Sequence, residues 1–522
     1  MPAVARDAIA EAIGAELSGT GKAGPARQWS LAPVFLVLVP KGGGIMDKSS
    51  GASRSARPGS RTAIMERLSP QDLMMLWPDD LGWPETIGAL AILDGTGLLD
   101  PDGRFRVEAV REVIESRLPL AHRFRQLLHT PRPGLGPPLW VDARSFDLTE
   151  HVRVRPFAAP PDEAQLLRTV ERLRAVPFER SRPLWLMWFL PGLADDRVAM
   201  FVKLHHTIAD GAAGVALVGT FLDLSADAPA TPTRPWTPAP KPSSRDLFED
   251  NLRRRVQAAR DSVSKLARPT ATLRRAREGW PAVREGFIRG RAPRTSFNVP
   301  IGRDRRMAVV RSSLDVPKQI AHDHDAKLND VLMTAVAGGL RELLCGREES
   351  VEDLVLRAFV PVSLHREQPG RARGNQNGMM FVPLPVGEAD PVRRLRAIAT
   401  ASAERKKYVV RPPEGVIARN GVLQRAMLRR LARQRWANVY VTNIPGPPAP
   451  LYLGGARLLE VFPVVPLSAN VTLGVGALTY AGQLSVSVIA DASALPDVEV
   501  FAAGMENALQ ALGALRTRAD AR

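Results

Sequence analysis

The sequence predicts an α/β protein organised in two halves, each of which mixes strands with helices. Apolar runs of strand length recur along the chain and alternate with segments of helical periodicity. A proline-rich and then strongly basic stretch, residues 226–305, separates the two sets of elements. The chain has 522 residues, which is more than one ordinary core accommodates, so two folded units are expected.

The first 64 residues differ in composition from the rest, because alanine, glycine, serine and arginine dominate them. We expect residues 1–64 to be disordered or to reflect a misassigned start, since Met46 and Met65 are both candidate start codons. Organised sequence begins near Met65. Ser69 followed by Pro70 is typical of a helix start, because a hydroxyl caps the helix and proline fits its first turn.

The N-terminal half, residues 65–225, ends in the most distinctive stretch of the chain. Strands are predicted at 88–93, 184–190 and 198–204, and helices around 107–118, 166–173 and 212–224. The turn Asp195-Asp196 between the last two strands predicts a hairpin.

The C-terminal half, residues 306–522, repeats the mixture of elements after the basic segment. Strands are predicted at 306–314, 354–362, 379–384, 438–443, 474–479 and 483–490, and helices from Asn329 and from Pro496 to about Leu515. Two further helices are predicted inside the basic segment, at 245–267 and 273–289, and their apolar face looks thin.

The net charge of +17 is concentrated in one place. Residues 245–306 contain 17 Lys/Arg and 7 Asp/Glu, a local excess of +10. Such a segment suits an anionic partner or is simply a solvated helical face. Because no nucleic-acid-binding motif accompanies it, we expect no nucleic acid as partner and prefer contact with a membrane or lipid droplet. No run is long enough to span a bilayer, so the expected location is cytoplasmic with peripheral lipid association.

Several classes of chemistry lack their motifs. Cys345 is the only cysteine, so no intramolecular disulfide is possible, and we expect it to be a buried small side chain. The sequence has no HExxH pattern, no G-x-S-x-G elbow and no phosphate-binding loop. Adjacent histidines point in different directions and make poor co-ligands, so we expect no metal site.

The stretch from His205 to Gly211 carries the candidate chemistry. It reads His-His-Thr-Ile-Ala-Asp-Gly and links a predicted strand to a predicted helix. A histidine at a strand end can act as a general base near neutral pH. Asp210 is placed either to orient a histidine or to pin the loop through an arginine, and Gly211 permits backbone geometry that a side chain would block. A histidine base without a side-chain nucleophile favours direct transfer to the acceptor's own hydroxyl or amine.

These residues and several others resemble the bacterial wax ester synthase/acyl-CoA:diacylglycerol acyltransferase family, whose motif is HHxxxDG. The resemblance covers roughly Met65 to the C-terminus. The matching segments are Leu68-Ser69-Pro70 with Asp72, Ser181-Arg182-Pro183-Leu184-Trp185, Asn329-Asp330-Val331, Arg357 with Val360-Pro361-Val362-Ser363, Gly374-Asn375 with Leu384-Pro385, Val441-Thr442-Asn443-Ile444-Pro445-Gly446-Pro447, and Pro450-Leu451-Tyr452.

The resemblance implies a fold of two chloramphenicol-acetyltransferase-like mixed-sheet domains, joined by a crossover, with the active site at their interface. It implies that His206 is the base, with His205, Asp210 and Gly211 supporting it. Asn329 would contribute to substrate binding, although it could equally cap a helix.

The implied function is transfer of a long-chain acyl group from acyl-CoA, a co-substrate, to diacylglycerol or a long-chain alcohol, without a cofactor. Two alternatives remain open. One is a related CoA-dependent acyltransferase that acts on an amine, a sugar or a polyketide-type alcohol. The other is a non-catalytic, basic lipid-binding protein.

Overall fold

Two six-stranded mixed sheets form the framework of the protein. The computed structural model describes residues 65–229, 235–266, 269–363, 377–410 and 421–520. The expectation for residues 1–64 and the Gly374-Asn375 pair lie outside these described residues.

Fourteen strands are described, twelve of them in the two large sheets. They are β1 Thr86–Leu93, β2 Gln126–His129, β3 Leu139–Asp142, β4 Val152–Val154, β5 Trp185–Pro191, β6 Val198–His205, β7 Arg305–Ser313, β8 Val355–Ser363, β9 Asn377–Pro385, β10 Val439–Pro445, β11 Tyr452–Leu453, β12 Ala456–Val464, β13 Leu473–Tyr480 and β14 Gln483–Asp491. The strand order is β11-β12-β1-β6-β5-β4 in the first sheet and β7-β14-β13-β10-β8-β9 in the second, while β2 and β3 pair separately.

The α-helices pack on these sheets or link them. They are α1 Pro70–Leu76, α2 Val107–Arg117, α3 Glu163–Ala175, α4 Gly211–Gly219, α5 Ser244–Leu266, α6 Pro269–Val283, α7 Asp315–Asp323, α8 Leu328–Gly346, α9 Pro391–Arg405, α10 Gly421–Leu431 and α11 Val498–Asp520. A 3-10 helix, Trp77–Leu81, follows α1, and a π-helical turn, Arg284–Arg289, follows α6.

The predicted hairpin before the histidines is confirmed. β5 and β6 pair antiparallel, and every residue of β6 is buried. Asp195 and Asp196 make the turn with φ of 57° and 52°, a left-handed conformation that aspartate tolerates better than most residues. The hairpin therefore delivers His205 to the end of a fully buried central strand.

The last third of the chain contributes to both sheets, which the sequence analysis did not anticipate. β12 pairs antiparallel with β1, with Gly88 opposite Val464, and so completes the first sheet. One apolar cluster then spans the two sheets and includes Leu90, Phe462 and Ile489. The predicted α/β architecture of two mixed-sheet domains joined by a crossover is confirmed, while the boundaries proposed at 225 and 306 stay predictions.

The basic segment forms helices, as predicted, and its end is fastened to the second sheet. The guanidinium of Arg357 on β8 donates to the backbone carbonyls of Glu285 and Gly286, both at 3.3 Å. It also lies 5.1 Å from the ring centroid of Phe381 on β9. Arg357, one of the family-like residues, therefore holds the linker in place.

The expectation that Cys345 is buried is wrong. Cys345 is exposed near the end of α8, because the inward face of that turn is occupied by Leu343 and Leu344. Within the described residues, no helix is long and apolar enough to cross a membrane.

The packing of β12 between the two sheets leads to a prediction about stability. Phe462 is 1% exposed, whereas Phe248 on α5 is 54% exposed. We expect Phe462→Ala to lower the free energy of unfolding by about 3–5 kcal/mol, because it leaves a cavity between the sheets. The matched change Phe248→Ala should stay within about 0.5 kcal/mol of wild type. Equilibrium denaturation measures both, and equal effects would contradict the packing described here.

Candidate active site

Three backbone hydrogen bonds fix the loop that follows β6. The N–H of His205 donates to the carbonyl of Leu184 at 3.0 Å, and that of His206 donates to the carbonyl of Glu85 at 2.8 Å. The N–H of Ile208 then donates to the carbonyl of His205 at 2.9 Å, which closes the turn. The Pro183-Leu184-Trp185 segment thus supports the motif through its backbone.

Trp185 itself is a packing residue. Its indole N–H donates to the carbonyl of Phe124 at 2.8 Å. Its ring stacks at 4.6 Å on both Phe124 and His151. The side chain is fully buried, so it braces β5 rather than facing a substrate.

Both ring nitrogens of His205 are occupied. The backbone N–H of Thr207 donates to Nδ1 at 3.1 Å. Because Nδ1 accepts this bond, the ring proton resides on Nε2, which donates to Oδ2 of Asp79 at 3.0 Å. His205 is 2% exposed. The ring is therefore a fixed support and is poorly placed to take a proton from a substrate.

Asp79 is a site residue that the sequence analysis missed. It lies in the 3-10 helix Trp77–Leu81, 126 positions before His205. Burial by itself would raise the pKa of Asp79, but the hydrogen bonds from His205 and from the N–H of Glu85, together with the positive charge of Arg180, outweigh burial and lower it. An ionised Asp79 then fixes the orientation and tautomer of His205. Only an aspartate pair in a Trp-rich segment, Asp79-Asp80, marked this position in the sequence.

His206 has a different environment from its neighbour. It is half-buried, and burial lowers its pKa below the ordinary histidine value, while the carboxylate of Asp210 opposes that shift. The imidazole is therefore neutral at neutral pH, the protonation state that a general base requires. A nearby carboxylate also stabilises the imidazolium that would form when the base accepts a proton.

Asp210 begins the helix that follows the motif. Its Oδ1 accepts from the N–H of Ala213 at 3.0 Å, which makes Asp210 the N-cap of α4. Its charge also acts on His206. Asp210 thus caps α4 and acts on His206 through its charge, while its role in catalysis stays a prediction.

Gly211 lies at a close approach between the two halves of the chain. A Cβ at this position would lie 3.1 Å from Cδ1 of Ile444 on β10. Gly211 is absent from the described residues with positive φ, so a side chain here would disturb the contact with Ile444 rather than a left-handed backbone conformation. The Asn443-Ile444-Pro445 segment therefore packs directly on the start of α4.

Asn329 is not brought to the histidines by any hydrogen bond within the described part of the chain. It is the second residue of α8 and is partly exposed. The helix start is stabilised by Asp330, whose Oδ2 accepts from the N–H of Lys327 at 3.0 Å. Asn329 is therefore not the cap, and its role in substrate binding stays a prediction.

A cleft of about 240 Å³ borders the motif. Thr207 and Ile208 line it from the motif loop, and Arg123 and Trp140 line it from the first half. Arg254 of the linker helix α5 completes this side. Among the described residues, no group of three or more His, Cys, Asp or Glu could hold a metal ion.

Comparison with known sequences places the chain in a family. Residues 68–332 match the model of the wax ester synthase/diacylglycerol acyltransferase catalytic domain, and residues 373–513 match the model of the C-terminal domain of that family. A Mycobacterium tuberculosis protein named as a diacylglycerol O-acyltransferase is 30% identical over 480 residues, covering 88% of this chain and 92% of that protein. A similarly named Mycobacterium bovis protein is 30% identical over 453 residues, covering 83% and 92%.

Solved structures agree on the fold. The wax ester synthase/diacylglycerol acyltransferase from Marinobacter aquaeolei superposes with a TM-score of 0.59 at 22% identity, covering 85% of this chain and 98% of that one. The starter condensation domain of rhizomide synthetase superposes with a TM-score of 0.53 at 14% identity, covering 88% and 96%.

The two family models together span most of the chain, and the histidine motif lies within the catalytic one. The acyltransferase class expected from the sequence is thereby confirmed. This chain belongs to the wax ester synthase/diacylglycerol acyltransferase family.

Proposed function

We propose that this protein transfers the acyl group of an acyl-CoA to the hydroxyl of diacylglycerol or of a long-chain alcohol, with His206 as general base. The observation that carries this proposal is the asymmetry of the histidine pair. His205 is held at both ring nitrogens, whereas burial keeps His206 neutral. The acceptors are those named for the family and for the M. tuberculosis relative.

In this mechanism His206 accepts the proton of the acceptor hydroxyl as the oxygen attacks the thioester carbon. The tetrahedral intermediate collapses, the carbon–sulfur bond breaks, and the CoA thiolate leaves. The thiolate then accepts the proton from the His206 imidazolium, which restores the neutral base. Asp210 stabilises the imidazolium between these two steps.

Thr207, His205 and Asp79 lie in the order of a nucleophile–base–acid triad, in which the threonine would be acylated. Oγ1 of Thr207 is 2.8 Å from Nδ1 of His205. However, Nδ1 already accepts the backbone N–H of the same threonine at 3.1 Å, and Thr207 is 4% exposed. These contacts favour a structural threonine over an acylated one.

The test of the proposal compares two histidine substitutions. We expect His206→Ala to lower turnover about 10²- to 10⁴-fold, because the base is removed. His322→Ala changes an exposed histidine on α7 in the same way and should leave turnover unchanged. CoA release from palmitoyl-CoA with diolein or hexadecanol measures the rate. Wild-type turnover in His206→Ala would refute His206 as the base.

An acceptor panel accompanies that test. An amine, a sugar and a polyketide-type alcohol are offered beside diolein and hexadecanol. Faster turnover with one of the first three would contradict the proposed acceptor class while leaving the base assignment intact.

We also propose that the protein contacts a membrane or lipid-droplet surface through α5. Phe248, Leu252, Val256 and Val263 are 43–64% exposed. At 100° per residue they fall within an arc of about 80° on one side of the helix. The inward face is a separate one, made by Leu247 and Asn251. Where the sequence predicted one thin apolar face, α5 therefore has two: one packed against the protein and one exposed.

The charges beside the exposed stripe suit an anionic lipid surface. Arg253, Arg255 and Arg260 flank it and are exposed. Arg67 anchors the opposite side of the helix through Asp250, with Nε and Oδ2 2.6 Å apart. An apolar stripe bordered by arginines is the pattern of helices that lie in the membrane interface.

Matched triple variants test the lipid contact. We expect Leu252→Ala/Val256→Ala/Val263→Ala to weaken binding to phosphatidylcholine–phosphatidylglycerol vesicles by about 10-fold or more, because apolar area is lost from the contact. Leu120→Ala/Val316→Ala/Val500→Ala removes the same groups from exposed positions elsewhere and should bind as wild type does. Equal binding by both variants in vesicle sedimentation would refute this surface.

A further inference from the structure

The backbone of Glu85 is hydrogen-bonded to His206 directly and to His205 through Asp79. Its carbonyl accepts the N–H of His206 at 2.8 Å. Its own N–H donates to Oδ1 of Asp79 at 3.2 Å, the carboxylate that accepts the ring N–H of His205. Glu85 immediately precedes β1, whose first residue, Thr86, pairs with His205. Any displacement of residue 85 therefore moves supports of both rings.

The side chain of Glu85 points away from solvent to the other half of the protein. The residue is 6% exposed. Oε1 accepts the hydroxyl of Ser468 at 2.5 Å. Ser468 lies in the loop between β12, in the first sheet, and β13, in the second. The carboxyl thus ties the support of the histidines to the segment where the chain passes from one sheet to the other.

The charged and titratable groups around Glu85 come from three further elements. Asp79 of the 3-10 helix acts on it as a like charge, and Arg174 of α3 acts as an opposite one. The phenol of Tyr440 on β10 also faces it. Burial raises the pKa of Glu85 to about 7, with the Ser468 hydrogen bond opposing the rise and Asp79 adding to it.

We propose that Glu85 is a positioning residue for acyl transfer, which holds the His206 backbone and the Asp79–His205 pair in register through its hydrogen bond to Ser468. This inference rests on the proposed role of His206 as base. It assigns Glu85 no contact with substrate. The Glu85–Ser468 contact between the two halves of the chain then helps to position His206.

Protonation of Glu85 changes the strength of its hydrogen bond with Ser468. A carboxylate accepts a hydrogen bond more strongly than a neutral carboxylic acid. Because the pKa of Glu85 is about 7, the wild-type kcat should rise as pH increases through 7. His206, whose pKa is lowered, titrates below this range.

The experiment uses the full-length protein and five variants. We expect Glu85→Ala and Ser468→Ala each to lower kcat, by about 10- to 100-fold for Glu85→Ala, because a small misplacement of the base is costly. KM for palmitoyl-CoA should stay within about twofold, since no substrate contact is lost. The double variant should lose no more than Glu85→Ala alone, because both changes break one link. Glu352→Gln, at an exposed position, is the control.

Glu85→Gln keeps an oxygen that can accept from Ser468 but cannot ionise. Its kcat should match wild type at pH 6 and stay flat through pH 7 and 8, where wild type rises. Wild-type kcat and pH profile in Glu85→Gln and Ser468→Ala would overturn the proposal, as would a lower melting temperature with unchanged kcat. If His206→Ala is inactive while these variants behave as wild type, only this inference fails. If His206→Ala stays active, the assignment of the base fails first.

Discussion

The antiparallel pairing of β1 with β6 is the constraint on which the candidate site depends. It sets Thr86 opposite His205 and leaves the carbonyl of Glu85 to accept the N–H of His206. β12 flanks β1 on its other edge, so the strand that supports the histidines is itself held by the last third of the chain. A buried β6 and a capped α4 then leave the motif loop little freedom, which suits a base that must stay oriented.

Two adjacent histidines have different electrostatic environments because their rings have different partners. The His205 ring lies between Thr207 and Asp79, and both of its nitrogens have hydrogen-bond partners. The His206 ring lies beside Asp210 and is kept neutral by burial. The same turn thus provides one support and one group able to accept a proton, and Ile444 of the second half closes against its glycine.

The sequence predicted those features that depend on neighbours along the chain. Periodicity located the β5–β6 hairpin, most strands and most helices within a few residues, although it did not predict α7, α9 or α10. The motif located the turn that carries His205 to Gly211. It missed β12, whose role is set by pairing with a strand over 350 positions away. It also missed Asp79 and Glu85, because their links to the histidines exist only after β1 and β6 pair. The exposure of Cys345 and of one apolar face of α5 was missed for a similar reason, since periodicity does not say which face of a helix a neighbour covers.

Direct transfer from acyl-CoA to the acceptor hydroxyl requires that the protein itself is never acylated. The decisive measurement mixes the protein with radiolabelled palmitoyl-CoA in the absence of acceptor and quenches within one turnover. The account predicts no stoichiometric release of CoA and no label on the protein until diolein or hexadecanol is added. A burst of CoA equal to the protein concentration, with palmitate bound covalently at Thr207 or elsewhere, would contradict it.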